Sequence, residues 1–377
     1  MRIYLDNNAT TPVHPEVLRV LESSLRDVFG NASSIHKEGQ TARRVIEDAR
    51  EAVGRLIGSA PRDIVFTSGG TESNNAAIFG AVPHQGRHHI VTTAIEHPSV
   101  AAAAAELERR GHEVTRVAAD RSGEVPAGRV LEAIRAETRL VTVMLANNET
   151  GVVQPVEEIG RVCRERGIHF HCDAVQAAGK IDVSVAGLAC DTLAMSAHKL
   201  HAPKGIGALY VRRDLELGTF LFGGAQERRR RAGTENVPLA AAFGVAATIA
   251  ADTSWRDPVA VFRDHLEDEM RRAFEVTVNG AEVRRLPNTS NMTFHGVDGE
   301  GLVIALDLKG IAVSTGSACS SGRVEPSPIL LAMGLTPDEA RSTVRISLSR
   351  FTTREEVERT ASVLVEVVPR CRSAVSR

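Results

Sequence analysis

Four segments of the chain hold side chains suited to covalent chemistry on a small molecule. In Ser196-Ala-His-Lys-Leu-His-Ala-Pro-Lys-Gly205 a lysine stands among hydroxyl and imidazole donors. A lysine amine forms Schiff bases once its pKa is lowered, and neighbouring cations with partial burial lower it. An arbitrary lysine is a solvated surface group, so Lys199 needs companions to be read this way. One companion is Asp173, in His169-Phe-His-Cys-Asp-Ala-Val-Gln176, where an acid closes a short strand. Open α/β sheets place ligands at the carboxyl ends of their strands, and a single carboxylate there can hold the N–H of a protonated ring. Strand parity also puts His169, His171 and Asp173 on one face, but no further cluster is spaced to complete a metal shell. A second companion is Phe66-Thr-Ser-Gly-Gly-Thr-Glu-Ser-Asn74, a glycine turn between strand and helix that suits a phosphate, through free backbone N–H groups and the positive end of the helix. It lacks the spacing of a dinucleotide fingerprint or a P-loop, so a mononucleotide or smaller phosphate is favoured. The fourth segment, Ser314-Thr-Gly-Ser-Ala-Cys-Ser-Ser-Gly-Arg-Val-Glu-Pro326, sets Cys319 among small polar residues and near Arg323, where thiolate, the nucleophilic form, is accessible.

The elements that must position these groups follow an α/β rhythm. Short β-branched runs at 64–66, 89–92, 114–117, 140–145, 168–170, 193–195 and 207–211 alternate with longer amphipathic stretches, such as a helix over 41–57. After about residue 255 the character changes. The runs 289–294 and 344–348 alternate in period two, as half-exposed antiparallel strands do. Thr336-Pro-Asp-Glu339 and Thr353-Arg-Glu-Glu356 are capping-box helix starts. These features predict a large α/β domain over 13–255, with a mainly parallel sheet, and a smaller α+β domain built from 1–12 and 256–377. With 377 residues there is enough chain for two cores and a cleft.

Composition narrows the class. Apolar residues make up 43% and charged residues 24%, as in ordinary soluble enzymes, and a formal net charge of -2 offers no global field for nucleic acid or an anionic membrane. The run Glu227-Arg-Arg-Arg-Arg231 reads as a solvated face that helps draw anions toward the cleft. No apolar stretch is long enough to span a bilayer and the first residues lack a signal-peptide core, so a cytoplasmic location is expected. Five cysteines, an odd number without close pairing, read as free thiols in a reducing compartment.

With these segments the chain resembles the cysteine desulfurases, class V members of the fold-type I pyridoxal-phosphate enzymes, which have an aspartate-aminotransferase-like fold. The resemblance rests on Tyr4-Leu-Asp-Asn-Asn-Ala-Thr-Thr11, Gly30-Asn-Ala-Ser-Ser-Ile-His36, the glycine turn at 68–74, Glu96-His97, Asn147-Asn-Glu-Thr-Gly151, Asp173-Ala-Val-Gln176, Ser196-Ala-His-Lys199, Gly233-Thr-Glu235, the Cys319 segment and Arg345-Ile-Ser-Leu348. It implies pyridoxal 5'-phosphate as cofactor and no metal. Lys199 would carry the Schiff base, Asp173 would partner the pyridinium nitrogen, Gln176 would donate to the ring phenolate oxygen, and His97 would stack on the ring and shuttle protons. Gly70, Thr71, Ser196 and His198 would bind the phosphate, with Thr234 reaching the phosphate of a neighbouring subunit, which implies a homodimer. Arg345, Asn148 and Asn31 would hold the substrate carboxylate, and Cys319 would take sulfur from L-cysteine as a persulfide. The segment after Cys319, through Glu325-Pro326-Ser-Pro328, has the longer form of the iron–sulfur-cluster and nitrogenase-associated group, which implies delivery to a sulfur-acceptor or cluster-scaffold protein. Ala32 stands where the family usually has proline. Two alternatives stay open on the sequence: another class V activity that shares Lys199 and Asp173, and a catalytically silent scaffold.

Overall fold

The structure, a computed structural model, describes residues 2–83, 85–315 and 325–372. A two-residue strand, β1 (Ile3–Tyr4), is followed by helices α1 (Pro15–Asp27) and α2 (Lys37–Leu56). Next comes an alternation of strands and helices: β2 (Ile64–Thr67), α3 (Gly70–Ala81), β3 (His89–Thr93), α4 (Pro98–Arg109), β4 (Glu113–Val117), α5 (Ala127–Glu132), β5 (Thr138–Met144), α6 (Val156–Glu165), β6 (His169–Asp173), β7 (Thr192–Ser196) and β8 (Gly207–Val211). The seven strands β2 to β8 form one sheet in the order β2-β8-β7-β6-β5-β3-β4, in which β8 alone runs against its neighbours. Both faces of this sheet are covered, and β5, β6 and β7 are accordingly rich in buried apolar side chains such as Val141, Val143, Phe170 and Leu193. Each strand expected from the β-branched runs is present. The helix expected over 41–57 starts earlier, at Lys37, because the Nδ1 of His36 accepts from the backbone N–H of Gly39 at 3.3 Å and so caps it.

The remaining elements are α7 (Val237–Ala250), α8 (Arg256–Ala273), β9 (Val276–Val278), β10 (Thr289–Phe294), α9 (Gly299–Leu308), β11 (Ile311–Ala312), α10 (Pro328–Ala332), α11 (Pro337–Arg341), β12 (Thr343–Ser347) and α12 (Arg354–Val367). Strands β12, β10 and β9 form a second, antiparallel sheet, and β1 pairs in parallel with β11. Both expected capping boxes are present, at Thr336 and Thr353. The expectation of half-exposed strands is corrected, because every residue of β10 and β12 is buried. Met292, Phe294, Val344 and Ile346 point into an apolar cluster, as period two requires. The opposite, polar face is sealed instead of wet. Thr293 meets Thr343 at 2.7 Å, Asn291 accepts from Asn279 at 2.7 Å, and the Asn8 amide donates to Thr289 Oγ1 at 2.9 Å.

Two main clusters of apolar side chains match the two sheets, one around Ile46, Val141, Phe170 and Phe243, the other around Met292, Phe294, Val344 and Leu364. Ile3 and Leu5 belong to the second cluster, whereas Ile329, Leu330, Met333 and Leu335 join the first. We propose the domain division 13–255 against 1–12 plus 256–377 on this packing, with 329–340 leaning across onto the larger core.

Candidate active site

A cleft of about 420 Å³ opens where the carboxyl ends of β2, β3, β5, β6 and β7 converge. Gly70, Thr71, His97, Asn148, Asp173, Gln176, Ser196, His198, Lys199 and Arg345 all line it, drawn from segments far apart in sequence.

Lys199 ends the single 3-10 turn that follows β7, and its Nζ donates to the backbone carbonyls of Asn8 and, at 2.8 Å, Ala9. Its pKa is pulled down to about 8, first by burial and then by the Arg345 guanidinium, against the opposing pull of Asp6 and Asp173. Near neutral pH a useful fraction of this amine is therefore unprotonated and nucleophilic.

Asp173 closes β6 with one donor on each carboxylate oxygen: Asn74 Nδ2 at 2.7 Å on Oδ2, and the backbone N–H of Val175 at 2.9 Å on Oδ1. A carboxylate has about four acceptor sites, so it keeps capacity for a cationic N–H in the cleft. Asn74 is itself oriented, by His171 Nε2 at 3.0 Å and Ser99 Oγ at 2.8 Å, and His171 leans on Thr192 at 2.9 Å. Burial lowers the pKa of His171 to about 3 and of His169 to about 4, so both rings are neutral, and His169 also meets Thr192. Among the described residues no group of three or more His, Cys, Asp or Glu is arranged to hold a metal ion.

His97 caps α4, its Nδ1 accepting from the backbone N–H of Ser99 at 3.1 Å. This fixes the neutral tautomer with its proton on Nε2. Loss of hydration in the concave site pulls its pKa down, Asp173 raises it and Lys199 lowers it.

The anion-receiving end is the start of α3, which no side chain caps. Gly70 stands in the first turn, where an added Cβ would meet Val175 Cγ2 at 2.8 Å, so the cradle admits only glycine without displacement. Ser196 and His198 face the same hollow. Burial and the nearby Lys199 amine lower the His198 pKa to about 4, which leaves a neutral imidazole, and its Nδ1 lies 3.1 Å from Thr10 Oγ1. At the other end, on β12, the guanidinium of Arg345 donates to Asp6 Oδ1 at 2.7 Å and to the Asn148 carbonyl at 3.1 Å, while its Nε and the Asn148 Oδ1 have no partner. Unpartnered buried polar atoms are costly, and the two residues that carry them line the cleft, where a carboxylate would engage the guanidinium.

The aminotransferase class-V family model matches residues 3–360. The chain belongs to the aminotransferase class-V family. It is 45% identical over 376 residues to a cysteine desulfurase of Trichormus azollae, covering 98% of this chain and 94% of that protein. Among solved structures, a NifS-like protein superposes with a TM-score of 0.92 at 34% identity, covering 98% of this chain and 100% of that one. SspA, solved in complex with cysteine, gives a TM-score of 0.84 at 36% identity over 94% of this chain and 100% of that one.

Asn31, expected with Arg345, does not line the cleft of this class-V chain, and neither does Thr234, which is expected at the phosphate of a neighbouring subunit. Asn31 is exposed in the connection between α1 and α2, where its Oδ1 accepts from the backbone N–H of Ser33, and so it does not stand with Arg345 and Asn148. Thr234 is exposed in a separate hollow of about 210 Å³, behind the β2–α3 turn, with Ser68 and Arg231. Cys319 lies outside the described residues. Ser314, five residues before it, lines the cleft and exchanges backbone hydrogen bonds with Arg345.

The basic run is not a uniformly solvated face. Glu227 is buried in a two-pronged pair with Arg50, at 2.7 and 2.9 Å, and also accepts from the Phe66 N–H. Arg231 pairs with Glu72 at 2.8 Å. Sequence reasoning also missed Asn8 and Lys180 as site residues. Their signals are present, for Asn8 sits inside the block 4–11 and Lys180 follows Gln176 by four residues, but only the fold shows that they meet.

Proposed function

We propose that this chain is a pyridoxal-phosphate-dependent cysteine desulfurase, which converts L-cysteine to L-alanine and takes the sulfur as a persulfide on Cys319. The observation that carries the reading is a single cleft in which a lysine amine of lowered pKa, a buried carboxylate, an uncapped helix start and a buried guanidinium converge. The 45% identity to a cysteine desulfurase over nearly the whole chain supports it.

The donor set fits the cofactor. Gly70, Thr71, Ser196 and His198 hold its phosphate, Asp173 the ring nitrogen, Gln176 the ring oxygen, His97 the ring face and Lys199 the covalent link. Once bound, pyridoxal phosphate supplies an electron sink for negative charge at the carbon beside the substrate amine.

The chain's own groups supply the rest. Arg345 and Asn148 hold the substrate carboxylate, which sets the α-hydrogen toward Lys199. Lys199 takes that proton as a neutral amine and returns it elsewhere. His97, protonated on Nε2, passes protons between the two thiols. The Cys319 thiolate attacks the substrate sulfur, forming an S–S bond as the C–S bond breaks. The balance is one L-cysteine and one thiol giving one L-alanine and one persulfide, without external oxidant. Thr234 serves the phosphate of a second copy, so the working form is a homodimer. The sulfur passes to an acceptor or cluster-scaffold protein in the cytoplasm, and no described helix is long and apolar enough to cross a membrane.

The test is incubation of the cofactor-loaded protein with L-cysteine, followed by alanine quantification and mass spectrometry of the peptide that holds Cys319. One extra sulfur on that peptide, matched to alanine formed, is the expected result. A Cys319→Ser variant that released sulfide and alanine at the wild-type rate would overturn the persulfide assignment.

A further inference from the structure

Lys180 is a buried lysine without a carboxylate partner among the described residues. It is 5% exposed, and its Nζ donates to Asn8 Oδ1 at 2.9 Å and Gln176 Oε1 at 2.7 Å. Both partners are side-chain amides, and an amide can present either its oxygen or its NH2 to a neighbour. An ammonium offers only hydrogens and a neutral amine still offers two, one for each partner, and each amide here turns its oxygen to Nζ. The consequence reaches both ends of the cleft. With its oxygen toward Lys180, Gln176 turns its Nε2 to the Asn8 carbonyl, at 2.8 Å, the same carbonyl that receives the Lys199 amine. With its oxygen toward Lys180 and Asn288, Asn8 turns its Nδ2 to the Asn148 carbonyl at 3.1 Å, which also receives Arg345.

We propose that Lys180 is a positioning residue that sets the polarity of two amides, fixing Gln176 and Asn8 with their NH2 groups toward the cleft and its walls. The proposal rests on the reading that Gln176 donates to the ring oxygen of pyridoxal phosphate. Lys180 itself touches neither cofactor nor substrate in this scheme. Placing an amine so deep costs solvation, and burial accordingly drives its pKa well below the usual lysine value, with Lys199 and Arg345 pushing the same way. A group retained at such cost, with two hydrogens met by two oxygens, acts through those oxygens.

The experiment is a pH titration of the visible absorption of the holoenzyme. A donor on the ring oxygen favours its anionic form and eases loss of the neighbouring proton, whereas a lone pair there does the reverse. Lys180→Met removes the donor that holds Gln176 Oε1 and leaves only the Asn8 carbonyl to orient the amide, so the absorption midpoint should rise by on the order of one pH unit. Gln176→Ala should raise it by a similar amount, and the double variant should match Gln176→Ala alone, because the two residues act in series. Lys180→Gln, which keeps a neutral donor, should restore a midpoint near wild type, and it carries the test should Lys180→Met not fold. Shifts that add in the double variant, or a Lys180→Gln midpoint displaced as far as that of Lys180→Met, would mean that charge acts directly and would overturn the proposal. A Gln176→Ala midpoint equal to wild type would overturn the underlying reading of Gln176 instead.

Discussion

The central strands of the seven-stranded sheet and the β10–β12 pair of the three-stranded one are both buried on two faces, and they reach that state by different means. Strands β5 to β7 are covered on both sides and packed mainly through apolar side chains, with the polar residues of β6 held locally by Thr192 and Asn74. Strands β10 and β12 are apolar on one face only. On the other, Asn291 stands directly opposite Arg345, Thr293 opposite Thr343 and Thr289 opposite Ser347, and each finds a polar partner inside the protein. The first arrangement holds a scaffold still. The second carries the cleft-lining Arg345 guanidinium on a surface whose hydrogen bonds fix its direction.

The contrast is sharpened first in the apolar sheet. Phe170 is fully buried in β6, and Phe170→Ala should cost about 3–5 kcal/mol in denaturant unfolding, as a cavity without polar compensation does. On the polar face the larger effect should be functional. Arg345→Ala should lower kcat/KM for L-cysteine by on the order of 100-fold, and Arg345→Lys should recover little of it, because an ammonium cannot bridge a carboxylate bidentately. Full recovery by lysine would reduce this face to a point charge. Next in size, Asn291→Ala leaves one N–H of the Asn279 amide and the Glu149 carbonyl without that partner, and chemical unfolding should register a loss of about 2 kcal/mol. A cost near zero would mean that water fills the seam, and the comparison would fail.

The smallest effect concerns a buried carboxyl just beyond the end of β3. Glu96 is fully enclosed beside β5, accepting from Thr93 Oγ1 and the Met144 N–H while its Oε2 has no partner, and burial raises its pKa to about 8. Its folded pKa lies above the unfolded one, so the folded state binds the extra proton. That stability is full below about pH 4.5 and drains as pH rises through about 8. Glu96→Gln should change unfolding free energy at pH 4 by less than about 1 kcal/mol, yet flatten the decline between about pH 4.5 and 8. An unchanged slope would show that Glu96 is ionised in the fold.

Much of this was legible in the sequence where the signal is local. The β-branched runs of the large sheet, the two capping boxes and the clustering of chemical residues at strand ends depend on neighbours a few positions away, and the cleft gathers ten of the residues those motifs singled out. What failed depended on distant partners. The alternation in 289–294 is that of a half-wet strand, and nothing nearby reveals that Asn8, some 280 positions earlier, seals the polar side. Lys180 looked like any turn lysine until Asn8 and Gln176 were seen to receive it. Asn31 was inferred from a motif block that fixes identity and leaves location open, and it lies exposed outside the cleft.

Residues 3–11 are made long before most of what they bind. Ile3 and Leu5 pair with Gly310 and Ala312, and Asn7 and Asn8 with Ser347. A ribosome therefore releases this stretch hundreds of codons ahead of its docking surface, and the Asn8 carbonyl that tethers the Lys199 amine gains its footing only when the carboxyl-terminal third arrives. Maturation of the reactive amine is thus timed to the end of translation, and a nascent chain stalled before β12 should capture pyridoxal phosphate poorly even though its large sheet is already complete.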